Sequence, residues 1–402
     1  MYMKILLVTQ YFYPENFKGN DIAFELVKRG HHVDVLTGIP NYPRGKYLSG
    51  YGFFKKRIET INGVRVYRVF QFPRGKTSKL MMILNYLSFP ISASLNCLFF
   101  FAWKKYDRIL VQQLSPIFQA FPAILLKKIK HIPIYMWILD IWPDALRSAA
   151  GIKNERIIGS VDRFVQFVYK NCDKLLISSR RFATLINKKK EYGDKLVYFP
   201  NWSDDILKMD NRYDIPKLPE GFNIMIAGNL GKAQNLEAVT ELMLGLKDVP
   251  EVKWVFVGGG SRKEWLEEFI KDNGLEDRAI CLGQYPFKAM PAFYKQADAM
   301  LVTLRAGFPH LEAVVPARLQ SYMSAGRPVL AMIGCGGADI IEESQCGYAV
   351  PAGDSTALIE VIKGKVLSNK DAFEKMGENG RDYYMKHFRM DDCINNLEKI
   401  LN

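Results

Sequence analysis

Phe222-Asn-Ile-Met-Ile-Ala-Gly-Asn-Leu-Gly-Lys-Ala-Gln234 is the stretch that decides the fold of this 402-residue chain. It runs from a short apolar segment through a glycine-containing turn into a helical pattern that starts near Asn235. A buried strand followed by such a turn and a helix is the repeating unit of a doubly wound α/β sheet. The same alternation already fills residues 1–199, so this stretch marks the start of a second unit.

Short β-branched runs and longer helical patterns alternate along both halves, which predicts parallel strands joined by crossover helices. The predicted strands of the first half are Lys4–Thr9, Val33–Thr37, Arg108–Gln112, Ile134–Ile138, Lys174–Ser178 and Lys195–Phe199. Those of the second half are Phe222–Ala227, Lys253–Val257, Ala279–Leu282, Ala299–Thr303, Pro328–Ala331 and Tyr348–Val350. Because open parallel sheets bind ligands beyond the carboxyl ends of their strands, the two units are expected to face an interdomain cleft.

The length and the cysteines indicate the number of domains and the cellular compartment of the protein. A chain of 402 residues is longer than one hydrophobic core usually grows, which favours two domains. The six cysteines are scattered, with no Cys-x-x-Cys pair, so neither a disulfide framework nor a zinc site is expected. Met1 leads directly into a predicted strand, which argues against a secretory signal and favours the cytoplasm.

Positive charge is concentrated in the first half of the chain. Residues 1–199 hold 32 Lys and Arg against 13 Asp and Glu, a net charge of +19, and the remainder holds 23 against 29, a net charge of −6. This asymmetry indicates a polyanionic partner, either anionic lipid or nucleic acid, with a basic protein that has no charged partner as the plain alternative. No groove-reading helix or RNA-stacking motif is present in the sequence, so nucleic acid is disfavoured.

One long segment, Leu80–Trp103, contains no charged residue and is flanked by Lys79, Lys104 and Lys105. It is long enough to span a bilayer, but polar residues and Pro90 interrupt it. We interpret it as a buried or membrane-lying helix pair that docks on one leaflet if it meets a membrane at all.

Two glycine loops follow strands of the second half. After the first strand, Gly228 and Gly231 enclose Asn229, and Lys232 comes next. Glycines let the backbone approach a phosphate, and free helix N–H groups with a lysine favour an anion, although an ordinary tight turn explains the same residues. After the second strand comes Gly258-Gly-Gly260, but Lys263 stands where a dinucleotide fingerprint needs its third glycine, so a nicotinamide site is poorly supported.

The strongest constellation is Glu312-Ala-Val-Val-Pro-Ala-Arg318-Leu-Gln320, followed by Gly326-Arg-Pro. Pro316 suits the first turn of a helix and Gly326 its end, which places Glu312 before the helix and the other two polar residues in its first turns. A carboxylate, a guanidinium and an amide in this arrangement suit sugar hydroxyls, a diphosphate and ribose hydroxyls. An ion pair between Arg318 and Glu312 is the purely structural alternative.

These residues resemble a known family. Glu312 and Gln320, separated by seven residues and followed by Tyr-Met-x-Ala-Gly-Arg-Pro, are similar to the E-x7-E motif of the retaining family 4 glycosyltransferases, which have the GT-B fold. The stretch from Gly30 to Gly38 is similar to their G-H-x-V-x-V-L-T-G, and Pro40-Asn-Tyr-Pro-x-Gly45 resembles a subset that builds bacterial surface polysaccharides such as O-antigen and capsule. The resemblance covers nearly the whole chain.

The resemblance implies two Rossmann-like parallel-sheet domains. Residues 1–199 would form a membrane-facing acceptor domain, 200–388 the nucleotide-sugar donor domain, and 389–402 a helix that crosses back to the first domain. The donor-binding residues would be Gly228, Asn229, Gly231, Gln234, Gly258, Gly260, Gln284, Tyr285 and Gln320, with Gln284 and Tyr285 at the base. Gly19 and Asn20 fall where the family has a glycine-rich loop that meets phosphate or acceptor.

Four residues are the expected catalytic set: Asp140, Lys232, Glu312 and Arg318. Glu312 would contact the donor sugar, and Asp140 would orient the acceptor hydroxyl, with a helix cap as its structural alternative. Gln320 replaces the second glutamate of the motif, and Asn229 and Gln234 stand where many relatives carry arginine and lysine. Lys232 and Arg318 must then supply the positive charge, and without it the enzyme would be slow or inactive.

The resemblance implies transfer of a hexosyl or N-acetylhexosaminyl group from a UDP-sugar with retention and without a metal or other cofactor. The acceptor would be a glycan, carried on a polyprenyl diphosphate at the anionic inner face of the cytoplasmic membrane, and the enzyme would be a peripheral protein there. Two alternatives stay open: a nucleotide-sugar epimerase of the same fold, and a sugar-nucleotide binding protein without activity.

Overall fold

The computed structural model describes residues 2–75, 78–149, 154–210 and 212–402, which divide into two compact units. The first unit consists of the residues up to Ser178, Ala183–Phe199 and Ile394–Asn402. The second consists of Ser179–Phe182 and Pro200–Cys393. Each unit is built on its own sheet.

The first unit contains an eight-stranded sheet in the order β3-β4-β2-β1-β5-β6-β7-β8. Its strands are β1 (Lys4–Val8), β2 (His32–Gly38), β3 (Ile58–Ile61), β4 (Val64–Val69), β5 (Arg108–Gln113), β6 (Ile134–Ile138), β7 (Lys174–Ile177) and β8 (Leu196–Tyr198). All neighbouring pairs are parallel except β3 and β4. The strand order reverses between β1 and β5, where open sheets bind their ligands.

The six strands predicted for this unit are confirmed to within one residue at each end. The prediction missed the hairpin of β3 and β4, which adds an antiparallel edge. Its turn is Asn62-Gly63, with both residues at positive φ (48° and 82°). An Asn-Gly pair between alternating apolar residues is a strong hairpin signal, so the sequence did contain the information.

Helices cover the first sheet, and the central strands are therefore continuous apolar runs. The helices up to residue 199 are α1 (Lys18–Lys28), α2 (Lys79–Phe99), α3 (Phe121–Lys130), α4 (Asp144–Ala149), α5 (Glu155–Asn171) and α6 (Arg181–Asn187). The predicted helix pair in the uncharged segment is wrong, because α2 continues through Pro90 as one helix and a short 3-10 turn, Phe101–Trp103, follows it. A proline removes one helical hydrogen bond, which the packed remainder of a long helix tolerates.

The second unit contains a six-stranded, wholly parallel sheet in the order β11-β10-β9-β12-β13-β14. Its strands are β9 (Phe222–Ala227), β10 (Val252–Val257), β11 (Ala279–Gly283), β12 (Ala299–Thr303), β13 (Val329–Met332) and β14 (Gly347–Val350). All six agree with the prediction to within one residue. Alternate residues pack on opposite faces, for example Met225 in one apolar cluster and Ile224 in the other. The switch point lies between β9 and β12.

The described helices after residue 199 connect or follow the strands of the second sheet. They are α7 (Leu236–Gly245), α8 (Lys263–Asp272), α9 (Met290–Gln296), α10 (Pro309–Ala313), α11 (Ala317–Ser324), α12 (Cys335–Ser344), α13 (Ser355–Val361), α14 (Lys370–His387) and α15 (Met390–Leu401). The last helix lies within the predicted segment 389–402, and its residues from Ile394 onward belong to the first unit.

The end of α15 is fastened within the first unit by Glu398. Its carboxylate accepts a hydrogen bond from Arg29 Nη1 at 2.7 Å and meets His31 Nε2 at 2.7 Å. The other ring nitrogen of His31, Nδ1, accepts from Met3 N at 3.2 Å. Burial alone would raise the pKa of Glu398, but the hydrogen bonds from His31 and Arg29 hold that pKa below its usual value. His31 is therefore a structural residue, as its sequence context indicates.

Candidate functional site

The glycine loops of the second unit lie side by side at the carboxyl edge of the sheet. Leu230 N donates to Gly259 O at 2.8 Å, and Gly258 N donates to Gly283 O at 2.7 Å. The ends of β9, β10 and β11 are thereby joined into one surface, next to the switch point between β9 and β12. Ligands of a parallel sheet bind at such an edge.

Two glycines are required for this close approach. A Cβ at Gly258 would lie 1.8 Å from Gly228 O, and one at Gly260 would lie 2.4 Å from Leu230 O. Both residues also have positive φ, 147° and 156°. Because a side chain would collide with backbone in an unfavourable conformation, no other residue fits at these positions. Gly258 and Gly260 thus shape the loop, and their contact with a donor stays a prediction.

Arg318 lies against the first glycine loop. Its Nη2 donates to Asn229 O at 3.1 Å and lies 3.5 Å from the position that a Cβ of residue 228 would take. Its Nη1 is buried and has no hydrogen-bond partner in the described chain. Within that same part of the chain no carboxylate pairs with Arg318, so the predicted structural alternative, an ion pair with Glu312, is wrong. A guanidinium with unused donors beside a glycine loop is suited to an anion.

The neutral residues of the loop are bonded to each other. Asn229 Nδ2 donates to Gln234 Oε1 at 3.2 Å, and Gly231 N donates to the same oxygen at 3.1 Å. Gln234 therefore closes this turn. Lys232, in the same turn, is exposed and has no acidic partner among the described residues. The amide side chains of Asn229 and Gln234 therefore hold the loop together.

Glu312 is half-buried and precedes α11, as predicted, and it lies in a short helix of its own, α10, which the sequence analysis did not predict. Extended backbone at Val314 and Pro316 separates α10 from α11, which holds Arg318 and Gln320 in its first turns as predicted. Glu312 Oε1 accepts from Gly307 N at 3.2 Å. This contact joins Glu312 to the segment before α10.

Gln320 is fully buried, which its motif position did not indicate. Its Nε2 donates to Asn201 O at 3.0 Å, and its Oε1 is buried without a hydrogen bond in the part of the chain that is described. The side chain therefore fastens the start of the second unit to α11. A contact between Gln320 and a ribose stays a prediction.

The predicted base-binding residues follow β11. The amide nitrogen of Gln284 lies 2.6 Å from the position a Cβ of Gly259 would occupy, so Gln284 borders the second glycine loop. The ring of Tyr285 packs on Phe293 with centroids 4.7 Å apart. Both residues thus lie near the glycine loops, and their contact with a base stays a prediction.

In the first unit, Asp140 follows β6 and is half-buried. Its Oδ2 accepts from Ser115 Oγ at 2.6 Å, and Ser115 Oγ in turn accepts from Trp142 Nε1 at 3.1 Å. Helix α4 begins only at Asp144. The described hydrogen bond of Asp140 is thus to a residue after β5, rather than the helix cap that was its structural alternative.

Gly19 and Asn20 lie in the first turn of α1 rather than in a loop. A Cβ at Gly19 would lie 2.2 Å from Gln112 Oε1, so glycine lets α1 approach β5. Asn20 Oδ1 accepts from Tyr13 N at 2.9 Å, and its Nδ2 donates to Glu15 O at 2.7 Å. Asn20 thus supports the preceding segment, and a contact of either residue with phosphate stays a prediction.

Sequence reasoning missed Glu15, which is only 3% exposed. Its Oε1 accepts from Asn41 N at 2.7 Å and Tyr42 N at 2.6 Å, and its Oε2 is buried without a hydrogen bond among the described residues. Burial raises the pKa of Glu15 to about 7, against the opposing effect of these two N–H groups. The adjacent segments after β1 and β2, Tyr13-Pro-Glu and Asn41-Tyr-Pro, were the available signal.

In the described ranges, no group of three or more His, Cys, Asp or Glu is arranged to hold a metal ion. None of the six cysteines, all of which lie in those ranges, forms a disulfide.

Comparison with known proteins identifies the second unit. Residues 210–383, which include both glycine loops and the segment from Glu312 to Gln320, match the family model described as glycosyl transferases group 1. The chain carries a glycosyltransferase group 1 domain. This glycosyltransferase is 27% identical, over 342 residues, to the putative colanic acid biosynthesis glycosyl transferase WcaI of Escherichia coli, covering 81% of this chain and 82% of that protein.

Solved structures agree on the fold. Sucrose-phosphate synthase from Thermosynechococcus elongatus gives a TM-score of 0.77 at 14% identity, covering 99% of this chain and 98% of that one. Anabaena HepE in complex with UDP gives a TM-score of 0.70 at 16% identity, covering 99% of both chains. The predicted GT-B fold of two parallel-sheet α/β domains is confirmed.

Proposed function

We propose that this glycosyltransferase transfers a sugar from a UDP-sugar, with retention, to a lipid-linked glycan during the synthesis of a bacterial surface polysaccharide. The observation that carries the proposal is Arg318, a guanidinium without a carboxylate partner in the described chain, bonded to the glycine loop at Asn229. The relative named for colanic acid synthesis supports the process, and the UDP complex of HepE supports the nucleotide.

In this proposal the protein stabilises the departing diphosphate. Arg318, Lys232 and the N–H groups of the Gly228 loop would meet the phosphates, while Glu312 binds hydroxyls of the donor sugar. Positive charge fixed in advance where negative charge develops lowers the barrier without a cofactor. We expect activity to persist in EDTA and the product to keep the anomeric configuration of the donor, as observed by NMR. Loss of turnover in EDTA that Mg²⁺ restores would contradict the metal-free mechanism.

The donor site is tested by thermal unfolding with a panel of UDP- and GDP-sugars. A ligand at 100 times its Kd stabilises the folded state by about 2.7 kcal/mol, so a fitting nucleotide gives a clear rise in Tm. Arg318→Ala should abolish the rise, and Glu312→Gln should reduce it for UDP-sugars but leave it unchanged for UDP. Arg327→Ala is the matched control, since Arg327 bonds only to a surface carbonyl, Lys295 O, in the described contacts. A Tm that responds to none of the nucleotides would refute the proposal.

The lipid-linked acceptor is supported by the polarity of α2. Its polar side chains face the first unit: Asn85 Oδ1 accepts from Gln10 and Tyr11 at 2.9 and 3.0 Å, and Ser88 Oγ accepts from Phe72 N at 2.9 Å. Its other side carries an apolar stripe, 45–76% exposed, formed by Leu80, Ile83, Leu87, Ile91, Leu95 and Phe99. A helix that faces water normally exposes polar residues, whereas this stripe exposes apolar ones. We therefore expect another apolar surface to cover the stripe.

A wholly apolar groove of about 410 Å³ extends the stripe. Its walls include Leu98, Phe121 and Phe164. Phe164 packs beside Phe167, and the ammonium of Lys128 lies 5.5 Å from the Phe167 ring. An apolar surface bordered by lysine, in a half of the chain with a net charge of +19, suits an anionic bilayer.

We infer that the enzyme is a peripheral protein on the inner face of the cytoplasmic membrane, with the α2 stripe in the headgroup region. Among the described helices, Leu80–Phe99 is long and apolar enough to cross a bilayer, and a third of it is buried inside the unit. The inward hydrogen bonds of Asn85 and Ser88 favour a helix that lies on the bilayer over one that crosses it.

Vesicle co-sedimentation tests the location. Binding is expected at low salt to vesicles that contain phosphatidylglycerol, and weaker binding to phosphatidylcholine alone. Ile91→Asp should weaken binding at least tenfold, because burying one such side chain contributes about 1.5–3 kcal/mol. Leu207→Asp is the matched control, since Leu207 is also 61% exposed but belongs to the second unit. Absence of binding to the anionic vesicles would contradict this location.

A sugar-nucleotide binding protein without activity is the second candidate. The internal bonding of Asn229 and Gln234 favours it, because these amides leave little charge on the loop. Incubation with UDP-sugars and membrane lipid extract separates the possibilities. The transferase releases UDP only when the acceptor is present, an epimerase converts the donor without acceptor, and an inactive binder does neither.

A further inference from the structure

Arg74 differs from the paired cations of the first unit, because it lies among tyrosines without an acidic partner in the described chain. Its guanidinium carbon is 5.8 Å from the ring centroids of both Tyr42 and Tyr86. Burial raises the pKa of Tyr11, and the positive charge of Arg74 nearby lowers it. Aromatic faces attract a guanidinium but leave its N–H donors available to an anion in the plane of the group.

Tyr11 and Tyr42, two of the three tyrosines that frame Arg74, are held by their neighbours. Tyr11 stacks on Phe17 with centroids 5.3 Å apart and lies 5.7 Å from Tyr42. The hydroxyl of Tyr11 donates to Asn85 Oδ1 at 3.0 Å. The backbone of Arg74 is held too, since its N–H donates to Asn41 Oδ1 at 2.9 Å. A cation held in advance loses little side-chain entropy when an anion binds.

The frame lies where a ligand of this sheet is expected. Tyr11 follows β1 and Tyr42 follows β2, so both stand beyond the carboxyl ends of adjacent parallel strands. Phe17, which contacts both rings, directly precedes α1. Burial raises the pKa of Tyr86, the positive charge of Arg74 lowers it, and the negative charge of Asp140 raises it. Asp140 follows β6 and therefore stands at the same carboxyl edge of the sheet.

The same site meets the apolar surface of α2. Tyr86 lies on that helix between Ile83 and Leu87, which are 49% and 45% exposed. A ligand with an anionic group at Arg74 can therefore place a hydrocarbon chain along α2 and a sugar towards Asp140.

We propose that Arg74, framed by Tyr11, Tyr42 and Tyr86, binds the phosphate that joins the lipid and the sugar of the acceptor. The inference rests on the proposed function for the kind of acceptor, and it assigns the group that recognises it. Asp140 would then contact the sugar hydroxyl that receives the transferred residue.

The test measures binding of farnesyl diphosphate and farnesol to the full chain by calorimetry, below the critical micelle concentration. The unchanged protein should bind farnesyl diphosphate more tightly than farnesol. Arg74→Ala should weaken farnesyl diphosphate binding at least tenfold and leave farnesol binding unchanged, and Arg74→Lys should give an intermediate loss. Arg65→Ala is the matched control, because Arg65 is an exposed arginine of the same unit. It should leave both affinities unchanged.

UDP binding is measured on every variant to keep two failures apart. If Arg74→Ala binds farnesyl diphosphate as tightly as the unchanged protein, or if Arg65→Ala loses as much, the assignment of Arg74 is overturned while UDP binding persists. If the unchanged protein binds UDP but not farnesyl diphosphate, the assignment is overturned as well. If the unchanged protein binds no UDP, the proposed function itself fails. Retention of UDP binding and an unaltered Tm by Arg74→Ala shows that the variant is folded.

Discussion

Replacing Glu15 by glutamine should change how the stability of the protein depends on pH. The carboxyl group is buried and accepts two backbone N–H groups, from Asn41 and Tyr42. The Glu15→Gln amide keeps an oxygen for these donors but cannot ionise. The substitution therefore removes the charge and preserves the shape.

The magnitude follows from the pKa of Glu15, which is about 7 in the folded protein and 4.5 for an ordinary glutamate. One pKa unit corresponds to about 1.4 kcal/mol, so ionisation costs roughly 3 kcal/mol more in the folded protein than in the unfolded chain. Because the folded pKa is the higher one, this group contributes most to stability below pH 4.5. Its contribution decreases between pH 4.5 and 7 and is constant above that range.

The assay is urea unfolding of both proteins from pH 4 to pH 8.5, followed by circular dichroism. The difference in free energy of unfolding between Glu15→Gln and the unchanged protein should shift by about 3 kcal/mol in favour of the variant as the pH rises through this window. Glu191→Gln, which replaces an exposed carboxylate of the same unit, is the control and should give a flat difference. A Glu15→Gln difference that stays constant within about 0.5 kcal/mol would refute the reasoning.

Other predictions use the same measurements. Gly258→Ala should destabilise the second unit by more than about 3 kcal/mol and abolish the UDP-dependent rise in Tm, because the alanine Cβ would collide with Gly228 O. Gly364→Ala is the control and should be neutral or stabilising, because Gly364 lies in a helix with open space around it. Glu398→Gln should cost about 1 kcal/mol at pH 7, because Arg29 and His31 lose an ionised partner. Because the pKa of Glu398 lies below its ordinary value of 4.5 in the folded protein, this difference should shrink in acid as the carboxylate becomes protonated. A urea series extended to pH 2 measures the change, and a cost that persists there would contradict the ion-pair account. Asp140→Asn should lower kcat for transfer by at least tenfold without changing UDP affinity, and an equal loss of UDP affinity would argue against an acceptor-side role.

The sequence predicted the central strands to within one residue because each is a continuous apolar run, as at Phe222–Ala227 and Ile134–Ile138. Such runs depend little on neighbours distant in the chain. The helix pair predicted at Leu80–Trp103 is wrong because α2 continues through Pro90, whose one missing hydrogen bond the rest of the helix tolerates. The hairpin at Asn62-Gly63 was missed because its first strand, β3, is short, lies at the edge of the sheet and is partly exposed.

The sequence predicted which residues form the candidate donor site, but not which residues contact each other. The order of Glu312, Arg318 and Gln320 along the chain indicated a donor site, yet the burial of Gln320 depends on the carbonyl of Asn201, 119 residues earlier. Glu15 and Arg74 lie in segments after different strands, so only the sheet order brings their partners together. The spacing of apolar residues along the chain does not indicate which loops contact each other.

The position of Glu398 in the sequence also determines when the first unit can finish folding during synthesis. Arg29 and His31 leave the ribosome early, but their partner Glu398 is made 369 and 367 residues later. The side chain of Arg108 likewise donates from Nε to the carbonyl of Leu401 at 2.5 Å, across 293 residues of sequence. The first unit is therefore completed only after the whole of the second unit has been made, and a nascent chain stalled before residue 394 would present the first unit to chaperones in an unfinished form.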